Sequence, residues 1–210
     1  MAGSMSRADL VADLKASLLD AAGSFRAPLD ADYDRHLNVA LTALTAWRAH
    51  TMAGEITLSE GVDAYAAPAD LWRFKLSLWG SPGGAMPKPW EKGWPGRLPT
   101  VRDISTAAGP MLWLTPAPSA QQIAALGATY RFFYYARLTA GADAADTTVS
   151  EADRGLLILR AQAEAMRELA IREAVRPVTA RDGVSGRPSS GTAAALHAQF
   201  LEQFLALASA

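Results

Sequence analysis

The chain has 210 residues, with 20 Lys and Arg against 21 Asp and Glu, so its formal charge is −1 and no chain-wide field is available to hold nucleic acid or an anionic membrane. Alanine fills 44 positions, which leaves an ordinary supply of large apolar side chains, enough for one core or one core plus a projecting insertion. Cysteine is absent, which removes disulfide scaffolds, thiolate metal sites and cysteine nucleophiles together.

The opening residues MAGSMSRADL lack a signal peptide's apolar run, and no stretch approaches the roughly 20 apolar residues of a membrane span. A soluble protein, intracellular at synthesis, is the expectation. Leu10, Leu14 and Leu18 at four-residue spacing, after Ser6 with Asp9 three positions on, predict a capped amphipathic helix from Ser6 to about Ala22. A break at Gly23, Ser24 and Pro28 precedes a second helix starting at Asp30 or Asp32. Its apolar face is Leu37, Leu41, Leu44 and Trp47, and it ends near His50.

The period then shortens. Glu55 to Leu58 alternates as a strand, residues 60–63 form a turn, and Tyr65 begins a return strand, giving a hairpin. Pro68 suits a helix start, with Leu71, Trp72, Phe74, Leu76, Leu78 and Trp79 making the following helix apolar nearly all round. Residues 80–99 contain five glycines and five prolines, a long loop. Trp90 and Trp94 are interleaved there with Lys88, Lys92 and Arg97. Three readings stay open for it: a loop folded back by its tryptophans, a contact with another subunit, or stacking on nucleic-acid bases. Trp90, Lys92 and Trp94 are its candidate contact residues.

A second hairpin follows, from Val101 to Thr106 and Met111 to Thr115. Ser119 with Gln122 then caps a short helix that Gly127 ends. The aromatic run 130–138 predicts a strand buried on both sides or lying at an interface. The longest helix runs from Ser150 to about Ala174, with a seam of Ala152, Leu156, Leu159, Ala163, Met166 and Ala170. Arg160/Glu164 and Glu168/Arg172 are four-apart pairs expected on its solvated faces. Residues 176–191 form a locally basic Gly/Pro/Ser arm with Arg176, Arg181 and Arg187. Beyond it Thr192 caps a terminal helix lined by Leu196, Phe200, Phe204 and Leu207, expected to dock on its own domain, a sister subunit or another protein.

Catalytic chemistry is scarce. His36, His50 and His197 are widely separated and have no metal-ligand spacing, so they read as exposed or capping residues. The Ser81 to Gly84 stretch lacks the lysine and hydroxyl residue of a phosphate loop, and no serine stands in a nucleophile elbow. Asp143 and Asp146 read as turn residues. No cofactor and no metal are expected.

The chain resembles the head–tail connector, or adaptor, proteins of tailed bacteriophages and their gene-transfer relatives. The resemblance rests on Asn38 to Leu44 closing paired helices, on Gly54 to Leu58 running into Tyr65 to Leu71, and on Leu114 to Pro118 before Ile123 to Gly127. The stretch from Asp153 through Leu157 to Met166–Leu169 completes it. Where such proteins often carry a larger apolar residue before the proline and an Arg-Pro pair after the second helix, this chain has Ala67 and Arg48-Ala49.

The resemblance implies a non-catalytic virion protein of the head–tail interface: a homo-oligomeric, dodecameric ring joining the portal protein to the next neck or tail protein. Double-stranded DNA would pass through it without sequence-specific binding. The C-terminal segment would reach the portal, which makes Arg187, Leu196, Phe200 and Phe204 candidate contacts. Another neck, completion or stopper protein is the nearest alternative; an enzyme with its site under the 80–99 loop is a further one. The expected fold is mainly α with a small antiparallel β subdomain (α+β). It comprises a helical bundle around a long central helix over 1–175, a β insertion at about 55–66 and 101–139, and a C-terminal arm and helix over 176–210.

Overall fold

The computed structural model describes residues 5–80, 88–91, 93–175 and 192–209. They are mixed α+β and divide into two compact units, Met1–Arg48 with Leu138–Ala210, and Ala49–Arg137.

In the helical unit, α1 (Arg7–Leu18) starts where the Ser6 hydroxyl accepts the Asp9 amide, and it buries Leu10, Val11, Leu14 and Leu18. In α2 (Ala31–Arg48) the buried rows advance in steps of four, through Tyr33, Leu37, Leu41 and Thr45 and through His36, Ala40 and Leu44. The second row leads to Arg48, not to Trp47. Trp47, expected on the core face, is 48% exposed, while the Arg48 guanidinium donates to the Leu207 carbonyl (3.2 Å).

A 3-10 turn at Glu151–Asp153, capped by Ser150, feeds α4 (Arg154–Val175). The short helix α3 (Ala120–Leu126) belongs to the other unit. Helices α1 and α2 pack on α4, and so does α5 (Ala193–Ala208). The buried line of α4 is Leu157, Ala161 and Ala165, with Ala163 and Met166 beside it. The expected seam therefore shifts, because partners on several sides widen the buried arc, and Ala152 is exposed. Thr192 caps α5 by accepting the Ala195 amide, and Ala193, Phe204 and Ala208 join the same core as α1, α2 and α4.

The other unit holds β1 (His50–Thr57), β2 (Ala64–Ala66), β3 (Leu71–Ser77), β4 (Thr100–Thr106), β5 (Gly109–Thr115), α3 (Ala120–Leu126) and β6 (Thr129–Ala136). Two antiparallel three-stranded sheets, ordered β1-β6-β3 and β2-β5-β4, enclose one core that includes Leu58, Leu71, Trp79, Leu112, Leu114, Tyr130, Phe132 and Tyr134. This unit spans Ala49–Arg137, beside the insertion expected at about 55–66 and 101–139.

Two sequence expectations are corrected, and of the two readings of the aromatic strand the one with both faces buried is set aside. Residues 71–77 are a strand, not a helix: Trp72-Arg73-Phe74-Lys75-Leu76 alternates apolar and charged residues, the two-residue period of a sheet face. The segments at 55–58 and 65 do not pair with each other; β1 pairs with β6 and β2 with β5. Strand β6 is buried on one face only, through Tyr130, Phe132, Tyr134 and Ala136, with Arg131 exposed and Phe133 and Tyr135 half-buried opposite. The hairpin of β4 and β5 and the Ser119 capping box on α3 form as expected.

Gly54 stands opposite Phe132 in the β1–β6 ladder, and the phenyl ring lies over its α-carbon where a methyl would overlap it. The ring is buried in the core and has little room to move. Gly54→Ala is expected to destabilise the β unit by about 1–3 kcal/mol through overpacking, checked by chemical denaturation; an unchanged midpoint would refute this packing account.

Candidate functional site

Within the β unit, the second half of the 80–99 loop is held against α3. Gln121 donates to the Trp94 carbonyl (3.1 Å) and Gln122 to the Arg97 carbonyl (2.8 Å). Trp94 is half-buried, whereas Trp90 is 78% exposed with the Lys88 ammonium 5.5 Å from its ring centre. Lys92 lies outside the described residues. Of the loop candidates, Trp90 is thus the side chain presented outward.

The C-terminal candidates separate in the same way. Leu196 and Phe200 pack partly buried against the helical core and Phe204 is 1% exposed, so all three make contacts within their own unit. Arg187 lies outside the described residues. The His197 ring meets the Ala163 carbonyl at 2.8 Å, fixing the register of α5 on α4.

The densest chemistry is a network that sequence reasoning placed on the surface. Glu168 of α4 is bonded by His36 Nε2 (2.8 Å), Arg35 (2.5 Å) and Arg172. Arg35 also reaches Asp32 (2.9 Å), and Arg172 donates to the Ser24 carbonyl (2.6 Å) while stacking over Phe25. One turn earlier Glu164, itself buried, lies between Arg160 (3.4 Å) and Arg167. The pairs expected to solubilise α4 are therefore partly interior, and His36, expected exposed or capping, is buried. The sequence signal was there: acids at 164 and 168 with arginines at 160, 167 and 172 mark one face of α4, but their partners on α2 lie more than a hundred residues away.

Burial works to raise the Glu168 carboxyl, but hydrogen bonds from His36, Arg35 and Arg172 outweigh it and hold the group down at about 2. Burial likewise works to raise Glu164, and Arg167 and Arg160 bring it below its ordinary value. Carboxylates held this firmly ionised and surrounded by donors are poor proton acceptors near neutral pH. They brace helices.

A shallow groove of about 680 Å³ along α2 includes Asp34, Arg35, Asn38 and Arg160. Its charged groups are already engaged, Asp34 by Arg7 (2.6 Å), Arg35 by Glu168 and Arg160 by Glu164. Among the described residues no group of three or more His, Asp or Glu is arranged to hold a metal ion. His50 stands in β1 opposite Ala136.

These side chains are engaged with one another within each unit, and Trp90 is left exposed. A family model described as SU10 adaptor protein matches residues 5–210. The chain belongs to that family. Among curated proteins nothing matches it. The SU10 adaptor family is a phage head–tail adaptor family, and membership gives the adaptor a structural role in the neck. No helix among the adaptor's described residues is long and apolar enough to cross a membrane.

Because the adaptor holds Glu168 below the ordinary carboxylate value of 4.5, its contribution to stability is complete above about pH 4.5 and is lost as pH falls towards 2. Thermal melts across that window are expected to show a decline that is shallower in Glu168→Gln. The same substitution at pH 7 is expected to cost about 1–3 kcal/mol, since donors on α2 and α4 lose a charged acceptor. Equal pH profiles for the two proteins would remove Glu168 from this role.

Proposed function

We propose that the protein assembles as a homo-oligomeric ring, dodecameric as the resemblance implies, at the head–tail interface of the virion. The ring joins the portal protein to the next neck or tail protein and extends the channel through which double-stranded DNA passes. The observation that carries this reading is the family match over nearly the whole chain, residues 5–210. Near-neutral net charge supports it, because many phosphate contacts would hold the DNA in place with strong, salt-dependent affinity.

In this reading the portal contact falls to the arm containing Arg187. Leu196, Phe200 and Phe204, whose burial supports an anchoring role, fasten the helix that follows the arm. Trp90, with Lys92 and Trp94 near it in sequence, contacts a neighbouring subunit or the next neck component. The burial of Phe204 also changes the choice of experiment. Deleting everything after Gly186 would remove core side chains and unfold the helical unit, so an arm substitution is the cleaner probe.

Electron microscopy of the purified protein, alone and mixed with portal, is expected to show rings, and Arg187→Glu is expected to weaken portal retention about tenfold or more with an unchanged melting temperature. A protein that stays monomeric with portal present would overturn the ring reading. Full retention by Arg187→Glu would overturn the arm's role alone.

A further inference from the structure

The two units carry opposite charge. Residues 49–137 hold eight Lys and Arg against six Asp and Glu, which leaves twelve against fifteen in the rest of the chain. Their ion pairing differs too. Among the described residues the β unit has one ion pair, Arg131–Glu55 (2.9 Å), whereas the helical unit pairs most of its arginines, including Arg7, Arg35, Arg48, Arg154, Arg160, Arg167 and Arg172, with acids of its own.

The unpaired charges have definite places. On the β1-β6-β3 sheet, the face opposite the core carries Thr51, Tyr135 and Arg73 side by side and Phe133 next to Leu76. Lys75 sits at the bulge between Phe74 and Leu76 and reaches back across the sheet, its ammonium 3.0 Å from the Thr51 hydroxyl and 4.9 Å from the Tyr135 ring centre. Phe133 and Tyr135 are half-buried, Leu76 is 42% exposed, and Arg73 and Lys75 meet no carboxylate among the described residues. Aromatic and aliphatic surface beside an arginine matches the enrichment of aromatic residues and Arg in protein interfaces, and a lysine at its edge suits the polar rim around such a patch.

In the helical unit the segment 142–152 has the complementary sign. Asp143, Asp146 and Glu151 are exposed, no cation pairs with them among the described residues, and the segment contains no Lys or Arg. It is also firmly built. Gly141 donates to the Thr147 hydroxyl (3.1 Å), which donates to the Met5 carbonyl (2.7 Å), and the Thr148 amide donates to the Thr139 carbonyl (3.0 Å).

We propose that the cationic aromatic face of the β1-β6-β3 sheet is the docking surface for a second copy of this chain, and that it receives that copy's acidic 142–152 segment. The contact joins two different patches, so it is head-to-tail, and such contacts close into rings when the rotation between copies permits. The inference rests on the ring reading and names the surfaces that would make the ring.

Charge reversal tests it with two full-length variants. One carries Arg73→Glu and Lys75→Glu, the other Asp143→Lys and Asp146→Lys, each checked for an unchanged circular dichroism spectrum and melt. Under the conditions in which the unaltered protein forms rings, alone or on portal, each variant alone faces like charge across every junction and is expected to assemble about tenfold or more weakly. Mixed in equal amounts they are expected to recover rings, because alternating copies restore opposite charge at every junction.

Rings from either variant alone, or none from the mixture of two folded variants, would overturn this interface and leave the ring reading standing. An unaltered protein that never forms rings would overturn both. Should a variant fail to fold, salt dependence of the unaltered protein decides. Assembly is expected to weaken as salt rises from about 0.05 M to 1 M, as the screening length shortens to roughly 3 Å, and salt-insensitive assembly would overturn the proposal.

Discussion

A single carboxylate on α4 organises the helical unit. Glu168 accepts from Arg35 and His36 of α2 and from Arg172 one turn further along α4, and Arg172 in turn holds the Ser24 carbonyl just ahead of Phe25. Apolar packing supplies most of the attraction between helices but permits sliding and rotation. A partly buried carboxylate surrounded by three donors does not, since any other register leaves charged groups unpaired away from water. The wide arc of small and branched residues on α4, Leu157, Ala161, Ala163 and Ala165, can then serve α1, α2 and α5 together without ambiguity.

The legible parts of this fold are those whose causes are local. Ser6, Ser119, Ser150 and Thr192 each cap a helix as read from the sequence, because capping involves only the next few residues. The β4–β5 hairpin is legible for the same reason. The strand at 71–77 was obscured by Leu78 and Trp79, which extended its apolar content beyond the alternating Trp72 to Leu76 and made it resemble an all-round buried helix. Pairing of β1 with β6 joins residues about eighty positions apart, and nothing near β1 announces that partner.

The candidate surfaces divide along the same line. The loop at 80–99 was legible from its prolines and glycines, but the sequence left open whether its tryptophans fold back or face outward, and only the structure separates the exposed Trp90 from the half-buried Trp94. Phe204 and Phe200 looked like an intermolecular docking face because an amphipathic stripe has the same pattern whether its partner lies in the same chain or in another. The aromatic run of β6 was read as buried on both sides or at an interface, but the cations beside it on the sheet face were not legible. That cationic face depends on Arg73 and Lys75 being in a strand, on that strand pairing with β6, and on the unequal division of ion pairs between the two units.

The helical unit is discontinuous, and its chain leaves after Arg48 and returns at Leu138, where the Leu138 amide donates to the buried Thr45 hydroxyl (3.1 Å). During synthesis α1 and α2 emerge first, yet Leu37, Leu41 and Leu44 have no α4 to cover them until the ribosome has made the whole of 49–137 and more. The intervening unit is continuous and can close its sheets within its own stretch. The order of completion is therefore inside out, with the later-made half of the chain rescuing the earliest from prolonged exposure of its leucines.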